Sequence, residues 1–174
     1  ADIANASITA ISDQTYTGSA ITILPTVTFN NSTVTETTDY TLSFTNNTNA
    51  GNASLTITGT GNFTGTQTVS FTIVKADPTI TFSDVTKTYG EPDFNLSATS
   101  SSTGPFTFTI ADTNIATVTG SITTIVGAGN TTVTVSQAAD TNYNTATATM
   151  TLTVSLADIA NASITAISDQ TYTG

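Results

Sequence analysis

Apolar and polar residues alternate with a period of two along many segments of the chain. Successive side chains of a β-strand point to opposite faces, so this alternation predicts strands with one face on a core and one face in water. No stretch carries apolar residues at the three- and four-residue spacing of an amphipathic helix. The segments with the clearest alternation are 40–44, 55–57, 69–73, 106–110, 133–135 and 146–154.

Residues that favour tight or left-handed turns fall between these segments, roughly every 8–12 positions, as in small antiparallel domains. Six or seven short strands in about 80 residues are typical of a β-sandwich. The sequence therefore predicts an all-β fold of antiparallel β-sandwich modules. The predicted turns lie at 30–31, 46–51, 59–62, 127–130 and 140–142.

The chain contains a long internal repeat, because residues 157–174 are identical to residues 1–18. A weaker symmetry divides the period, since 69–77 (VSFTIVKAD) resembles 150–158 (MTLTVSLAD). We therefore expect one module over 1–76, a second over 77–156, and the start of the next copy of the first module over 157–174. This organisation predicts a tandem array of which the chain is a piece, with short joints and no flexible linker.

Composition excludes several function classes. The chain has 45 threonines and 17 serines but no Cys and no His, which excludes Cys or His zinc sites, disulfides and His-based catalytic triads. Two lysines, no arginine and a net charge of −10 are unsuited to nucleic acid. No catalytic motif is present, and no apolar run is long enough to span a bilayer. We expect a protein that is not an enzyme, needs no cofactor and inserts no part of this segment into a membrane.

Four acidic residues are candidate Ca²⁺ ligands. Asp112 and Asp140 each begin an Asp-x-Asn sequence, and Asp77 and Asp158 lie at the predicted joints. Extracellular β-sandwich arrays use such oxygen ligands, but a Ca²⁺ site needs six or more oxygens, and no complete Ca²⁺ loop follows any of the four. The alternative is that these carboxylates cap turns by accepting hydrogen bonds from nearby backbone N–H groups.

Two further kinds of site have equally plain alternatives. Aromatic faces bind sugars, but a tyrosine at a strand start is commonly half-buried with its hydroxyl bonded to a loop; the candidates are Tyr16, Tyr40, Tyr89 and Tyr143. Lys75 and Lys87 are the only lysines that could form an intramolecular isopeptide crosslink, and either could equally be an ordinary solvated lysine of a strand.

Two groups of motifs carry a resemblance to known families. Residues 15–18 (TYTG), 38–42 (TDYTL), 49–51 (NAG) and 59–65 (GTGNFTG) resemble a repeat of large bacterial surface proteins. Residues 87–90 (KTYG), 115–118 (IATV), 125–129 (IVGAG) and 142–144 (NYN) resemble bacterial Ig-like domains of the invasin/intimin type. The Thr- and Asn-rich, Arg-free style is similar to the SprB-type gliding-motility adhesins of Bacteroidota. The resemblance implies tandem Ig-like modules in an extracellular protein exported to the outer surface of a bacterium.

Two functional hypotheses follow. In the first, the period is a structural unit of an elongated adhesin filament for attachment and gliding, its partners being neighbouring repeats and, through other parts of the protein, the cell surface or substratum. Each strand of about ten residues spans roughly 33 Å, so one period should advance the filament by roughly 70–90 Å. In the second, the repeat binds a glycan or Ca²⁺, and repetition supplies avidity.

Overall fold

The computed structural model describes residues 1–161, 163, 165 and 171, so most of the predicted next copy after Asn161 lies outside the described residues. The described chain is all-β, with 49% strand and 3% helix. Its helical residues form two short 3₁₀ turns, Ile3–Asn5 and Ile159–Asn161. The strands are β1 Ser7–Ile8, β2 Gln14–Thr15, β3 Val27–Phe29, β4 Ser32–Thr33, β5 Tyr40–Thr45, β6 Gly51–Gly59, β7 Thr66–Val74, β8 Ile80–Thr81, β9 Val85–Thr88, β10 Phe94–Asn95, β11 Thr99–Ser100, β12 Phe106–Ile110, β13 Ala116–Thr119, β14 Ile122–Ile125, β15 Gly129–Gln137 and β16 Ala146–Ser155.

Each of the six segments predicted from alternation is a strand, namely β5, β6, β7, β12, β15 and β16. Burial follows the same period. In β6 every second residue from Ala53 to Ile57 is buried, and in β16 the buried residues are Met150, Leu152 and Val154, with Thr neighbours on the opposite face. The prediction of an all-β fold is confirmed for the described residues.

Two four-stranded sheets share one strand order. The first runs β2-β7-β6-β5 and the second β9-β16-β15-β12. In each, a short strand pairs in parallel with the last long strand: Thr15 lies opposite Val74, and Thr88 lies opposite Ser155. These two pairs differ from the predicted purely antiparallel arrangement. A parallel pair needs a long crossover, which the many residues between its members supply.

The chain divides into two compact units. The first comprises residues 1–81, 99–106 and 136–147, and the second comprises residues 82–98, 107–135 and 148–174. In the first unit the sheet β1-β3-β4 contributes Val27 to a core that also contains Ile3, Tyr40, Leu55 and Ile57. Core residues from two sheets packed face to face are consistent with a β-sandwich.

The second unit repeats this arrangement with different residues. Its small sheet has the order β10-β14-β13 and contributes Ala116 to the core. The long strands contribute Val133, Met150, Leu152 and Val154 to the same cluster. Apolar residues from the two sheets therefore enclose one core, which is again consistent with a β-sandwich.

The predicted turns adopt the backbone that their residues favour. Asn30, Asn31 and Asn46 have positive φ, which the short amide side chain tolerates. Gly51 begins β6 with φ of 136° and Gly129 begins β15 with φ of 145°, a region open essentially to glycine alone. Each of these glycines stands within an identical Ala-Gly-Asn sequence, so 50–52 and 128–130 are counterparts in the two units.

Candidate functional site

The chain beyond β7 runs against the loop between β15 and β16. The Ala76 N–H donates to the Asn142 carbonyl at 3.0 Å, and the Ala76 carbonyl accepts from the Asn144 N–H at 2.9 Å. Tyr16, Asn49, Ala50 and 75–77 on one side, with 140–144 on the other, form a contact that we call the Ala76 seam. All of its residues belong to the first compact unit.

Asp140 organises the loop side of the Ala76 seam. One carboxylate oxygen accepts from the backbone N–H groups of Asn142 and Tyr143, both at 2.8 Å. The other accepts from the Ser102 hydroxyl at 2.8 Å, the Thr103 N–H at 2.9 Å and the Thr103 hydroxyl at 3.0 Å. Hydrogen bonds stabilise the charged form, so these donors, the Thr103 N–H foremost, hold the pKa of Asp140 far below its usual range.

The side chain of Asn142 joins two loops. Its carbonyl oxygen accepts from the Ala50 N–H at 2.9 Å, and its amide nitrogen donates to the Asn49 side-chain oxygen at 3.2 Å. Ala50 and Asn49 lie in the turn before β6, where the sequence predicted turn chemistry. An amide can donate and accept at once, so Asn142 satisfies a backbone donor and a side-chain acceptor of the facing loop.

An aromatic pair lies beside these hydrogen bonds. The rings of Tyr16 and Tyr143 have centroids 5.4 Å apart and planes at 84°, the edge-to-face arrangement that aromatic rings prefer. Tyr40 is buried, and burial, with the charges of Glu36 and Asp39, raises the pKa of its hydroxyl. Tyr89 is 50% exposed. Of the four tyrosines considered for glycan stacking, Tyr89 is therefore the most accessible, and glycan binding stays a prediction.

The two lysines have different surroundings. The Lys75 ammonium donates to the Asp140 backbone carbonyl at 2.6 Å, across the Ala76 seam. The Lys87 ammonium forms an ion pair with Glu91 at 3.0 Å and lies 5.1 Å from the centre of the Phe94 ring. The isopeptide crosslink stays a prediction, and the contacts of Lys75 are those of a residue that ties two segments together non-covalently.

The four candidate Ca²⁺ ligands lie in separate segments, and each accepts a protein hydrogen bond. Besides Asp140, the Asp112 carboxylate accepts from the Asn114 N–H at 2.9 Å, and Asp158 accepts from the Ala160 N–H at 2.9 Å. Asp77 accepts from the Asn144 amide at 2.8 Å. Over the described residues, three or more acidic side chains do not come together as a metal-binding group. The contacts of Asp112, Asp140 and Asp158 are the turn caps that the sequence offered as the alternative to Ca²⁺ ligation, whereas Asp77 accepts from a distant side chain.

Sequence reasoning missed the residues that bond to Asp140 and the glutamine that holds their loop in place. Ser102 and Thr103 stand in a run of hydroxyl residues with nothing to distinguish them. Gln137, at the end of β15, is 2% exposed and donates from its amide nitrogen to the carbonyls of Ser102 at 3.0 Å and Gly104 at 2.9 Å. Gln137 falls on the buried face of the alternating strand β15. This is the one sequence signal for these contacts, because a buried amide needs hydrogen-bond partners.

Chemically, the Ala76 seam can hold two segments in a fixed relation through backbone pairing, a saturated carboxylate and one aromatic contact. In the part of the chain that the structure describes, no helix has the length and hydropathy of a bilayer span. No protein-family model matches this chain, and no curated protein matches it significantly.

Proposed function

We propose that the chain is a structural tandem-repeat segment of a large extracellular adhesin filament, which projects from a bacterial surface and serves attachment and gliding. The observation that carries the proposal is the Ala76 seam. There Ala76, the last residue of the predicted first module, pairs through its backbone with Asn142 and Asn144 of the predicted second module. A segment that transmits position or force along a filament needs such a joint, since a flexible linker would let successive modules reorient freely.

The chemistry of the seam supports a structural rather than a catalytic role. The Asp140 carboxylate accepts five hydrogen bonds from protein groups. A carboxylate whose lone pairs are filled in this way is poorly placed to transfer protons, because every donor around it would have to be displaced first. Its role is to hold the loop 140–144 in shape.

The surface suits a hydrated filament. The exposed positions of the long strands are mainly Thr and Ser, as in β16, and the net charge is −10. Like charge keeps neighbouring filaments apart in solution. In this proposal the neighbouring copies of the repeat are the direct partners, and adhesive specificity resides in other parts of the full protein.

Length measurement tests the proposal. Small-angle scattering should compare this chain with chains that carry one and two further copies of the repeat, and each copy should add roughly 70–90 Å to the maximum dimension. An increment well below about 60 Å would mean that copies fold back on one another, which contradicts a filament.

A calcium titration tests the competing idea of a ligand-binding repeat. We expect the same melting temperature with Ca²⁺ and with a chelator, because the candidate carboxylates already accept hydrogen bonds from protein groups. A ligand that binds only the folded state raises its stability, so a clear Ca²⁺-dependent rise would contradict the purely structural role.

A further inference from the structure

Two loops of the chain make the same backbone pairing with a preceding Ala-Asp sequence. At the Ala76 seam, Ala76 donates to the Asn142 carbonyl at 3.0 Å and accepts from the Asn144 N–H at 2.9 Å. At the chain start, Ala1 donates to the Asn62 carbonyl at 2.7 Å and accepts from the Thr64 N–H at 2.8 Å. The loop 62–64 is therefore the counterpart of the loop 142–144, and Ala1 is the counterpart of Ala76.

Ala157 is the third Ala-Asp of this kind, because residues 157–174 repeat residues 1–18. At the chain start, the partner of this sequence is the loop 62–64. We infer that the end of the second unit around Tyr89 and Leu156 is a docking surface for a following copy of the repeat, whose loop 62–64 pairs with Ala157 and brings Phe63 edge-on to Tyr89. This inference rests on the proposed function, in which copies follow one another in series.

Tyr89 occupies the position in the second unit that Tyr16 occupies in the first. The Tyr16 N–H donates to the Val74 carbonyl at 2.9 Å, and the Tyr89 N–H donates to the Ser155 carbonyl at 2.8 Å. A glycine with positive φ comes two residues after Tyr16, at Gly18, and directly after Tyr89, at Gly90. Tyr16 has its aromatic partner in Tyr143, whereas Tyr89 is 50% exposed.

Phe63 is the residue of the following copy that matches Tyr143. It stands in the middle of loop 62–64, as Tyr143 stands in the middle of loop 142–144. The Phe63 ring packs edge-to-face on Phe29, with centroids 5.2 Å apart and planes at 82°. In the following copy the same ring would also give Tyr89 the edge-to-face contact that Tyr16 already has. The Ala128 N–H would likewise donate to the side chain of Asn62 in the following copy, as the Ala50 N–H donates to the side chain of Asn142.

Apolar exposure near Tyr89 indicates what kind of surface should cover it. Leu156 follows Ser155, whose carbonyl accepts from the Tyr89 N–H, and is 83% exposed. Leu156 has the sequence position of Lys75. Thr60, which precedes loop 62–64 of the following copy, has the sequence position of Asp140. The contact with the following copy therefore has the apolar Leu156 where the Ala76 seam has Lys75 bonded to a loop carbonyl. Along an array these two kinds of contact alternate.

The inference is tested on this chain and on the same chain continued after Gly174 with residues 19–76. Tyrosine nitration, read by mass spectrometry of peptides, reports the accessibility of each ring. We expect Tyr89 to react readily in the shorter chain and several-fold more slowly in the longer one, approaching Tyr16. Equal nitration of Tyr89 in both chains would overturn the docking.

Variants separate docking from folding. Tyr89→Ala should lower the melting temperature of the longer chain by roughly 4–8 °C more than that of the shorter chain, and Tyr89→Phe should restore it. The matched control is Ile122→Ala: Ile122 is 53% exposed at the start of β14, and its replacement should affect both chains alike. A Tyr89→Ala effect of equal size in the two chains would overturn the inference.

Scattering from the same two chains distinguishes failure of the docking from failure of the proposed function. The longer chain completes one further module, which is half a period, so it should extend by roughly 35–45 Å. If it does so while Tyr89 stays reactive, the filament survives and the docking is wrong. If Tyr89 is protected but the chain does not lengthen, the docking is supported and the filament is wrong.

Discussion

Residues 1–5 and 157–161 have one sequence and two environments. In both, the segment forms a 3₁₀ turn, at Ile3–Asn5 and at Ile159–Asn161. In both, the aspartate before it accepts a hydrogen bond from a backbone N–H two residues on, at 3.0 Å from Ala4 and 2.9 Å from Ala160. Yet Ile3 is fully buried and Ile159 is 88% exposed.

This comparison separates the structure that the segment forms from its own residues from the structure that needs distant residues. The turn needs only an aspartate and two following residues, so it forms in both copies. Burial of the isoleucine needs the strands that follow in the first unit, where Ile3 packs with Val27, Leu55 and Ile57. The same division extends to counterpart positions elsewhere in the two units, and each can be tested as a pair.

The largest contrast is expected between Ile3→Ala and Ile159→Ala. Ile3→Ala removes buried methyl and methylene groups and leaves a cavity, so the free energy of unfolding should fall by about 2–5 kcal/mol. Ile159→Ala changes an exposed side chain and should alter that free energy by less than about 0.5 kcal/mol. Urea denaturation of the two variants measures the difference. Equal losses would mean that the second copy is buried in solution as the first is.

Gly51 and Gly129 give the next contrast. Alanine at either position is strained by about 1–3 kcal/mol, because φ is strongly positive at both. A Cβ at Gly51 meets open space, whereas one at Gly129 lies 2.5 Å from the Ile115 Cδ1 atom. The Cδ1 atom is the flexible end of the Ile115 side chain and has to shift, so Gly129→Ala should cost about 0.5–1.5 kcal/mol more than Gly51→Ala in denaturant titrations. A larger loss at Gly51 would contradict the contact between Gly129 and Ile115.

Tyr16 and Tyr89 differ by one aromatic partner. Tyr16→Ala should lower stability by about 0.5–1.5 kcal/mol beyond the loss of buried area, because the ring of Tyr143 loses its edge-to-face contact. In the chain as it stands, Tyr89→Ala should remain within about 0.5 kcal/mol of the unchanged protein. Thermal unfolding of the two variants and of Tyr16→Phe, which keeps the ring, provides the measurement. A result in which Tyr16→Phe loses as much as Tyr16→Ala would show that the ring contact is unimportant.

The smallest contrast concerns Asp140 and its counterpart Thr60. The pKa of Asp140 is lowered in the folded chain from an ordinary value of 3.8, so its contribution to stability is present in full above that value and is lost as the pH falls below it. Asp140→Asn should lower the melting temperature at about pH 7 and have a smaller effect at about pH 3. Thr60 does not titrate in this range, so Thr60→Ser should change the melting temperature equally at both pH values. An Asp140→Asn effect that grows on acidification would contradict the assigned hydrogen bonds.

Much of the fold follows from the alternating pattern, because a half-buried strand must alternate. Strands β7 and β16 lie where the alternation placed them, and the turn before β6 begins at Asn46 as the turn residues indicated. The parallel pairing of β2 with β7 could not be predicted from alternation, since it depends on which sheet edge a short segment reaches after a long connection.

The candidate site was predictable only in outline. The sequence marked Asp140 as a turn residue and left open whether it caps the turn or binds Ca²⁺. Its partners Ser102 and Thr103 are about forty positions away in sequence, among hydroxyl residues of the same kind. Such a contact follows from where two loops meet in space, and no local pattern encodes that meeting.

Local sequence accounts for the six alternating strands, the repeat and the aspartate-capped turn that recurs at Ile3–Asn5 and Ile159–Asn161. These features depend on side-chain alternation and on hydrogen bonds that span two residues, so each segment carries the information it needs. The parallel edges, the partners of Asp140 and the burial of Ile3 arise only in the folded chain. Those depend on surfaces contributed by distant residues, and an identical segment without them leaves its isoleucine in water.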